Sequence, residues 1–339
     1  MANKLWSGSG RAVSSLNGKS VMVTGATGSF GQEFLRQLLE ANEVEQIKVF
    51  SRDELKQFEM RAEFSSPKIE YLLGDVRDYK RVLQATVDVD VIIHAAAMKQ
   101  IPAAEQNPME AIKTNILGAE NIVNAAIENR VKKVVALSTD KAANPANLYG
   151  ATKLCSDKLM IAGNYLSDRT ETAFSVVRYG NVLGSRGSVI PFFKEKALTG
   201  KIPITDVRMT RFWLTLTQGV NLVMEAIESM HGGEIFVPKI PSFKVVDVAR
   251  IVAPGIPTYE IGIRPGEKLH EVMITEDDSF FTREFDSYYT ILAPNLIKTN
   301  AYAGKGKEVI EGFTYRSDTN PLWFDDETFT ALLKQISLI

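Results

Sequence analysis

Six short, almost unbroken apolar runs recur up to residue 179, namely 20-SVMVTG, 47-IKVFS, 69-IEYLL, 91-VIIHAAA, 133-KVVALS and 173-AFSVVRY. An apolar run of strand length suits a strand covered on both faces, and the segments between these runs are long enough for crossover helices. The pattern predicts an α/β fold, a Rossmann-like doubly wound parallel sheet. One crossover helix is plain in 115-NILGAENIVNAAIEN-129, where apolar residues return at helical spacing. Beyond about Gly180 the rhythm is broken by Pro191, Pro203, Pro238, Pro241, Pro254, Pro257 and Pro265. This predicts a smaller C-terminal substrate-binding lobe, with a returning strand around 234-EIFVP completing the main sheet. The expected division is an N-terminal extension over 1–17, a Rossmann domain over 18–180, and mainly the substrate lobe and tail over 181–339.

Composition narrows the function classes. With 45% hydrophobic and 24% charged residues and a net charge of −2, the chain lacks the broad basic footprint of a nucleic-acid or anionic-lipid binder. Its single cysteine, Cys155, allows no intrachain disulfide and is expected to pack in the interior of a protein from a reducing compartment. His94, His231 and His270 lie far apart without zinc-site spacing, so no structural metal is expected. No segment approaches the 18 or so apolar residues of a membrane span, and the chain reads as cytoplasmic.

The first run leads into 24-TGATGSFG-31 and then into the helical 32-QEFLRQLLE-40. Gly25, Gly28 and Gly31 between a strand and a helix are the setting of a dinucleotide site, where backbone approaches pyrophosphate at a helix N-terminus. The adenosine 2′ position falls to 51-SRDELK-56. Ser51, Arg52 and Lys56 offer donors and positive charge to a 2′-phosphate, which favours NADP, while Asp53 and Glu54 suit NAD or a plain charged helix start. Asp75, in 74-GDVRD-78, is a candidate acceptor for the adenine amino group or an ordinary turn residue.

Tyr149 and Lys153 form Y-x-x-x-K, neighbours on one helix face. An ammonium beside a phenol favours phenolate, so Tyr149 is a candidate base for a sugar hydroxyl, with Lys153 lowering its pKa and holding a nicotinamide ribose. Thr139, ending the preceding run, is placed to bond the same hydroxyl. Asp140 and Lys141 follow it directly and supply a second acid and base that a simple dehydrogenase would not need.

The chain resembles the extended short-chain dehydrogenase/reductase superfamily and, more narrowly, the inverting UDP-N-acetylglucosamine 4,6-dehydratases of the pseudaminic acid pathway. The resemblance lies in 24-TGATGSFG, 51-SRDELKQFEM, 74-GDVRD, 94-HAAAMK, 113-KTNILGA, 137-LSTDKAANPANLYGATKL, 178-RYGNVLGSRGSV, 203-PITDVRMTRFW, 230-MHGGEIFVPKIPS and 262-GIRPGEKLHEVM. Retaining relatives generally carry Asp-Glu after the threonine, where this chain has Asp140-Lys141. Departures are Gln100, where related members often have histidine, and a shorter linker over 194-KEKALTGKIP-203.

The resemblance implies a bound NADP lined also by Thr27, Ser29, Phe30 and Leu55, by Val76, Ala95 and Lys99, and by Leu137, Ser138 and Val182. It implies UDP-N-acetylglucosamine held by Lys99, Asn181, Arg208, Arg264 and Glu267, and a homo-oligomer, with a hexamer among the possibilities. In the implied reaction Tyr149 deprotonates the 4-hydroxyl as hydride leaves C4. Lys141, as a neutral amine, takes the C5 proton; Asp140, as an acid, helps the 6-hydroxyl leave as water. Hydride returns to C6, and C5 is reprotonated on its opposite face to give UDP-2-acetamido-2,6-dideoxy-β-L-arabino-hex-4-ulose. Which of Asp140 and Lys141 acts as the acid at C6 stays open. The same residues leave open a 4-epimerase, a retaining dehydratase and a catalytically silent NADP sensor or scaffold.

Overall fold

The computed structural model describes residues 14–167, 171–185 and 187–339. Most of the expected 1–17 extension, and Arg186 of the 178–189 phrase, therefore lie outside the described residues. Of the extension, Ser14–Leu16 form a 3-10 turn, and both Ser14 and Ser15 donate hydrogen bonds to Glu228.

All six apolar runs are strands: β1 (Ser20–Thr24), β2 (Gln46–Ser51), β3 (Ile69–Leu73), β4 (Val91–His94), β5 (Lys133–Thr139) and β6 (Ala173–Tyr179). They are parallel and lie in the order β3-β2-β1-β4-β5-β6, which reverses direction between β1 and β4. That reversal opens a crevice at the strands' carboxyl ends. Helices α1 (Ser29–Ala41), α2 (Glu54–Glu63), α3 (Tyr79–Ala85), α4 (Ile101–Gln106), α5 (Pro108–Ile112), α6 (Gly118–Glu128) and α7 (Leu148–Leu166) make the connections. Every residue of β1 and β4 is buried, as a strand covered on both faces requires, whereas edge strand β3 is only partly so. The helix expected over 115–129 begins as a π-helical turn, Lys113–Leu117, before settling into α6.

After β7 (Asn181–Val182), β8 (Ile202–Ile204) and β9 (Thr210–Leu214), strand β10 (Glu234–Pro238) returns to pair parallel with β6. The chain continues through β11 (Ser242–Lys244), β12 (Thr258–Glu260), β13 (Val272–Ile274), β14 (Thr282–Glu284), β15 (Tyr288–Leu292), β16 (Lys307–Glu308) and β17 (Tyr315–Arg316). Strands β15, β14 and β16 extend the sheet antiparallel beyond β10 to ten strands, an addition the sequence pattern did not suggest. A second apolar cluster, built on Phe193, Trp213, Phe243 and Phe329, holds the small sheets β11-β9-β7 and β12-β8 over the crevice. Among the described residues, no helix is long and apolar enough to cross a membrane and no group of three or more His, Cys, Asp or Glu could hold a metal ion.

Cys155 is exposed, which corrects its expected burial. On α7 the buried positions are 150, 152, 153, 156, 157, 160 and 163, so the helical period turns residue 155 outward.

Candidate active site

A cleft of about 890 Å³ runs along the crevice and reaches under the smaller lobe. That volume is at the upper end of ordinary ligand pockets. At one end, Gly25 has φ 66°, and a Cβ there would come within 2.8 Å of the Ala96 nitrogen. At Gly31 an added Cβ would lie 2.4 Å from the Ala26 Cα. Glycine thus permits the turn at the first position and the packing of α1 against it at the second. No side chain caps α1 at Gly28, so the helix presents its positive end to the cleft. Thr27, Ser29, Phe30, Val76, Ala95 and Lys99 line the same space.

Past β2, Ser51, Arg52, Asp53 and Lys56 line the cleft, whereas Glu54 and Leu55 are exposed and do not. Asp53 is committed to α2: it caps the helix by accepting from the Lys56 N–H at 3.0 Å and pairs with Lys56 Nζ at 2.6 Å. Asp75 lines the cleft but is engaged by Arg77, through its backbone N–H at 3.0 Å and its guanidinium at 2.7 and 2.9 Å.

The other end is built where β5 stops. Leu137, Ser138 and Thr139 line the cleft, and the chain turns through a 3-10 segment, Asp140–Ala142, into α7. Asp140 is wholly buried, and its Oδ1 accepts from Thr139 Oγ1 at 2.8 Å and from Lys141 Nζ at 2.9 Å. Asn147 caps α7 through the Gly150 N–H at 2.8 Å and donates to the Gly266 carbonyl at 2.8 Å, tying the helix start to the smaller lobe. This fixes Tyr149 in the first turn and Lys153 one turn on, both on the cleft wall. The buried Asn115 side chain, in the π-helical turn, donates to Thr152 Oγ1 at 2.9 Å and bonds Met98 in both directions, locking the loop that carries Lys99. A π-turn at such a place is a common mark of a functional site.

Burial and neighbouring charge act on both reacting groups. Lys153 was expected to lower the Tyr149 pKa; burial instead pushes the phenol up to about 12, against the pull of the Lys141 charge and hydrogen bonding with Thr139. Burial works against charge on Lys141, but the Asp140 and Glu271 carboxylates outweigh it and hold the amine well above its ordinary range. In the ligand-free protein these carboxylates thus favour the ammonium, so the neutral amine expected at the C5 step has to be generated within the site. Burial also holds Lys153 below its usual value, with Asp157 opposing.

Several cleft groups escaped the sequence reading. Glu271 is 2% exposed, and its Oε1 lies 3.6 Å from Lys141 Nζ and 3.7 Å from Arg211 Nε. Lys268 Nζ sits 3.8 Å from Glu271 Oε2 and donates to the Ala143 carbonyl at 2.7 Å. Beneath Lys153, buried Asp157 accepts from Ser138 Oγ at 2.7 Å and faces Arg178 at 3.6 Å. For Arg178, Arg211, Lys268 and Glu271 a position inside a quoted phrase was the only available signal, and Asp157, beyond the phrase that ends at Leu154, had none. Of the residues expected to hold a nucleotide sugar, Lys99, Asn181, Arg264 and Glu267 line the cleft, and Arg264 donates to Glu267. Val182 lines it beside Asn181. Arg208 does not: its exposed guanidinium pairs with Asp206 at 2.6 Å, and Arg211 from the same phrase faces the cleft instead.

A glycine turn after β1 and a Tyr149–Lys153 pair after β5, on a 3-2-1-4-5-6 parallel sheet, define an extended short-chain dehydrogenase/reductase fold. The polysaccharide biosynthesis protein family model matches residues 21–293. A UDP-N-acetylglucosamine 4,6-dehydratase (inverting) of Campylobacter jejuni is 53% identical over 327 residues, 94% of this chain and 98% of that one. A UDP-glucose 4-epimerase of Rickettsia canadensis is 45% identical over 80% of this chain and 82% of its own. The X-ray structure of Pen from Bacillus thuringiensis superposes with a TM-score of 0.89 at 38% identity, covering 96% of this chain and 99% of that one. The chain belongs to the polysaccharide biosynthesis protein family and, within it, to the family of the inverting UDP-N-acetylglucosamine 4,6-dehydratases, which are hydro-lyases.

Proposed function

We propose that the protein is an NADP-dependent enzyme that removes water across C5 and C6 of UDP-N-acetylglucosamine and inverts C5, in the cytoplasm, to give UDP-2-acetamido-2,6-dideoxy-β-L-arabino-hex-4-ulose. The observation that carries this is Lys141, on one cleft wall with Tyr149 and paired at 2.9 Å with Asp140, which is buried behind it and does not itself line the cleft. Oxidation at C4 alone needs one base, Tyr149, whereas loss of the C5 proton and the 6-hydroxyl needs a base and an acid more. A 4-epimerase, as the Rickettsia relative is named, would leave that pair without a task.

The cleft fits a dinucleotide by its two glycines, where Cβ atoms would clash, and by the α1 N-terminus. When bound, the dinucleotide supplies the hydride acceptor for C4 and the donor for C6. The choice of NADP is supported by Arg52 on the cleft wall and by the commitment of Asp53 to its own helix, which removes the carboxylate that a 2′-hydroxyl would use.

Tyr149 takes the 4-hydroxyl proton, and the Lys141 charge and the Thr139 hydroxyl favour its phenolate against burial. The new 4-ketone acidifies C5–H. Resting Lys141 is charged, yet moving one proton along its hydrogen bond to Asp140 yields the amine and carboxylic acid that the next step requires. A closed, drier site favours that neutral arrangement. Lys141 then accepts the C5 proton while Asp140 gives its proton to the departing hydroxyl, so charge and atoms balance. Lys99, Asn181, Arg264 and Glu267 hold the UDP portion, Arg264 because the arginine fork matches phosphate. Pseudaminic acid or another surface sugar is the destination that fits this product, and a homo-oligomer is the working assembly.

Changing Lys141 to alanine tests the reading. The variant should lose C5 exchange with solvent deuterium by at least a hundredfold, as expected for removal of a general base, roughly 10²–10⁴-fold. Full exchange and turnover would refute it.

A further inference from the structure

We infer that Glu271 is a positioning residue for Lys141, a buried carboxylate that aims the amine at the substrate and stabilises the ammonium formed when the C5 proton arrives. This rests on the reading of Lys141 as the base at C5.

The geometry is that of a base with its orienting acid. Lys141 Nζ lies between two carboxylates, Asp140 Oδ1 at 2.9 Å and Glu271 Oε1 at 3.6 Å. Asp140 is occupied in the proposed chemistry, since it must hold and release a proton at C6. When it has done so, Glu271 is the negative charge beside Lys141 that has taken no part. The relation resembles that of a triad carboxylate to its histidine: it orients the base and stabilises the charge it acquires, without accepting the proton.

Glu271 is well supported for this. Its backbone is pinned by Ser317, which accepts from the Glu271 N–H at 2.9 Å and donates its own N–H to the Glu271 carbonyl at 2.9 Å. Its Oε1 is held toward Lys141 by Arg211, whose guanidinium is in turn fixed on the Thr210, Leu269 and Lys268 carbonyls at 2.7, 3.1 and 2.9 Å. Its Oε2 is buried, accepts no hydrogen bond among the described residues and lies 3.8 Å from Lys268 Nζ. A buried carboxylate oxygen left so lightly satisfied is costly and calls for a use.

The charge count points the same way. Asp140 from the β5 turn, Tyr149 from α7, Arg211 from β9, and Lys268 and Glu271 from the segment before β13 all bear on Lys141. Three cations, Lys141, Arg211 and Lys268, share the Asp140 and Glu271 carboxylates, with Glu267 a third that faces Arg211, and arginine cannot give up its proton. Removing Glu271 therefore makes Lys141 a weaker base; removing Lys268 leaves Glu271 less compensated and makes it a stronger one.

The test compares Glu271→Gln, Glu271→Asp and Lys268→Met with the unchanged enzyme, using turnover of UDP-N-acetylglucosamine, its pH profile and the isotope effect with C5-deuterated substrate. Glu271→Gln should lower kcat about tenfold or more with KM within about twofold, move the acidic limb down by about one pH unit and enlarge the C5 isotope effect. Glu271→Asp, which keeps the charge, should lower kcat while leaving the limb in place. Lys268→Met should move the limb up. A Glu271→Gln enzyme whose limb and isotope effect match the parent overturns the inference, and so does a Lys268→Met limb that stays or falls, which decides the matter if Glu271→Gln does not fold. Lys141→Ala separates the two claims: if it keeps C5 exchange, the base assignment itself fails.

Discussion

Replacing His94 with asparagine should remove much of the protein's loss of stability in mild acid. His94 ends β4 and is 1% exposed, with its Nδ1 2.9 Å from Thr24 Oγ1. Burial, aided by the Lys153 charge, pushes the imidazole down to about 3. In the unfolded chain it titrates near 6.5. Below that pH the unfolded state takes up a proton that the folded state refuses, so the contribution is intact above about 6.5 and lost progressively as the pH falls toward about 3. Each unit corresponds to about 1.36 kcal/mol, so going from about pH 7 to about pH 5 should cost about 2 kcal/mol through this residue alone. Asparagine keeps a polar atom near Nδ1 and does not titrate. Its cavity and lost contacts weigh equally at both pH values and cancel in the double difference. Urea unfolding of both proteins at the two pH values gives the quantity, and the parent should lose about 2 kcal/mol more than His94→Asn. Equal losses would show that His94 is already protonated in the fold or is not the group responsible.

Three further outcomes follow from the cleft. Arg52→Ala should weaken NADP at least tenfold while leaving NAD within about twofold, measured by titration calorimetry; an equal loss for both would remove Arg52 from 2′-phosphate recognition. Gly31→Ala, whose Cβ would lie 2.4 Å from the Ala26 Cα, should lower stability by about 2 kcal/mol or more and weaken dinucleotide binding, read by thermal unfolding with and without NADP; a neutral result would mean that α1 can retreat freely. Tyr149→Phe should reduce turnover by roughly 10²–10⁴-fold with substrate binding preserved, and near-parental activity would assign the first proton transfer elsewhere.

The parts of the molecule legible in the sequence are those whose physical cause is local. Runs such as 133-KVVALS show a strand covered on both faces because burial leaves no polar face to record, and the glycine turn is visible because only glycine fits at Gly25 and Gly31. The antiparallel strands β14 to β16 were missed because three short segments, bounded by no crossover helix, show no period long enough to read. Cys155 was misplaced because composition gives the usual environment of a thiol, while the phase of α7 decides the actual one. Lys141 could be singled out beside Asp140, but its charge could not be assigned, because Glu271 and Arg211 arrive from the other lobe. For Arg208 and Arg211, three positions apart in one strand-forming phrase, only the packed structure tells which faces the cleft.

The proposed reaction is decided at C5, and the product made in deuterium oxide reports it directly. Incubation with UDP-N-acetylglucosamine, followed by mass spectrometry and NMR, should show loss of one water, a deuterium at C5 and the L-arabino configuration. A product that has lost water but keeps the D configuration, or a C4 mixture of unchanged mass, would contradict it.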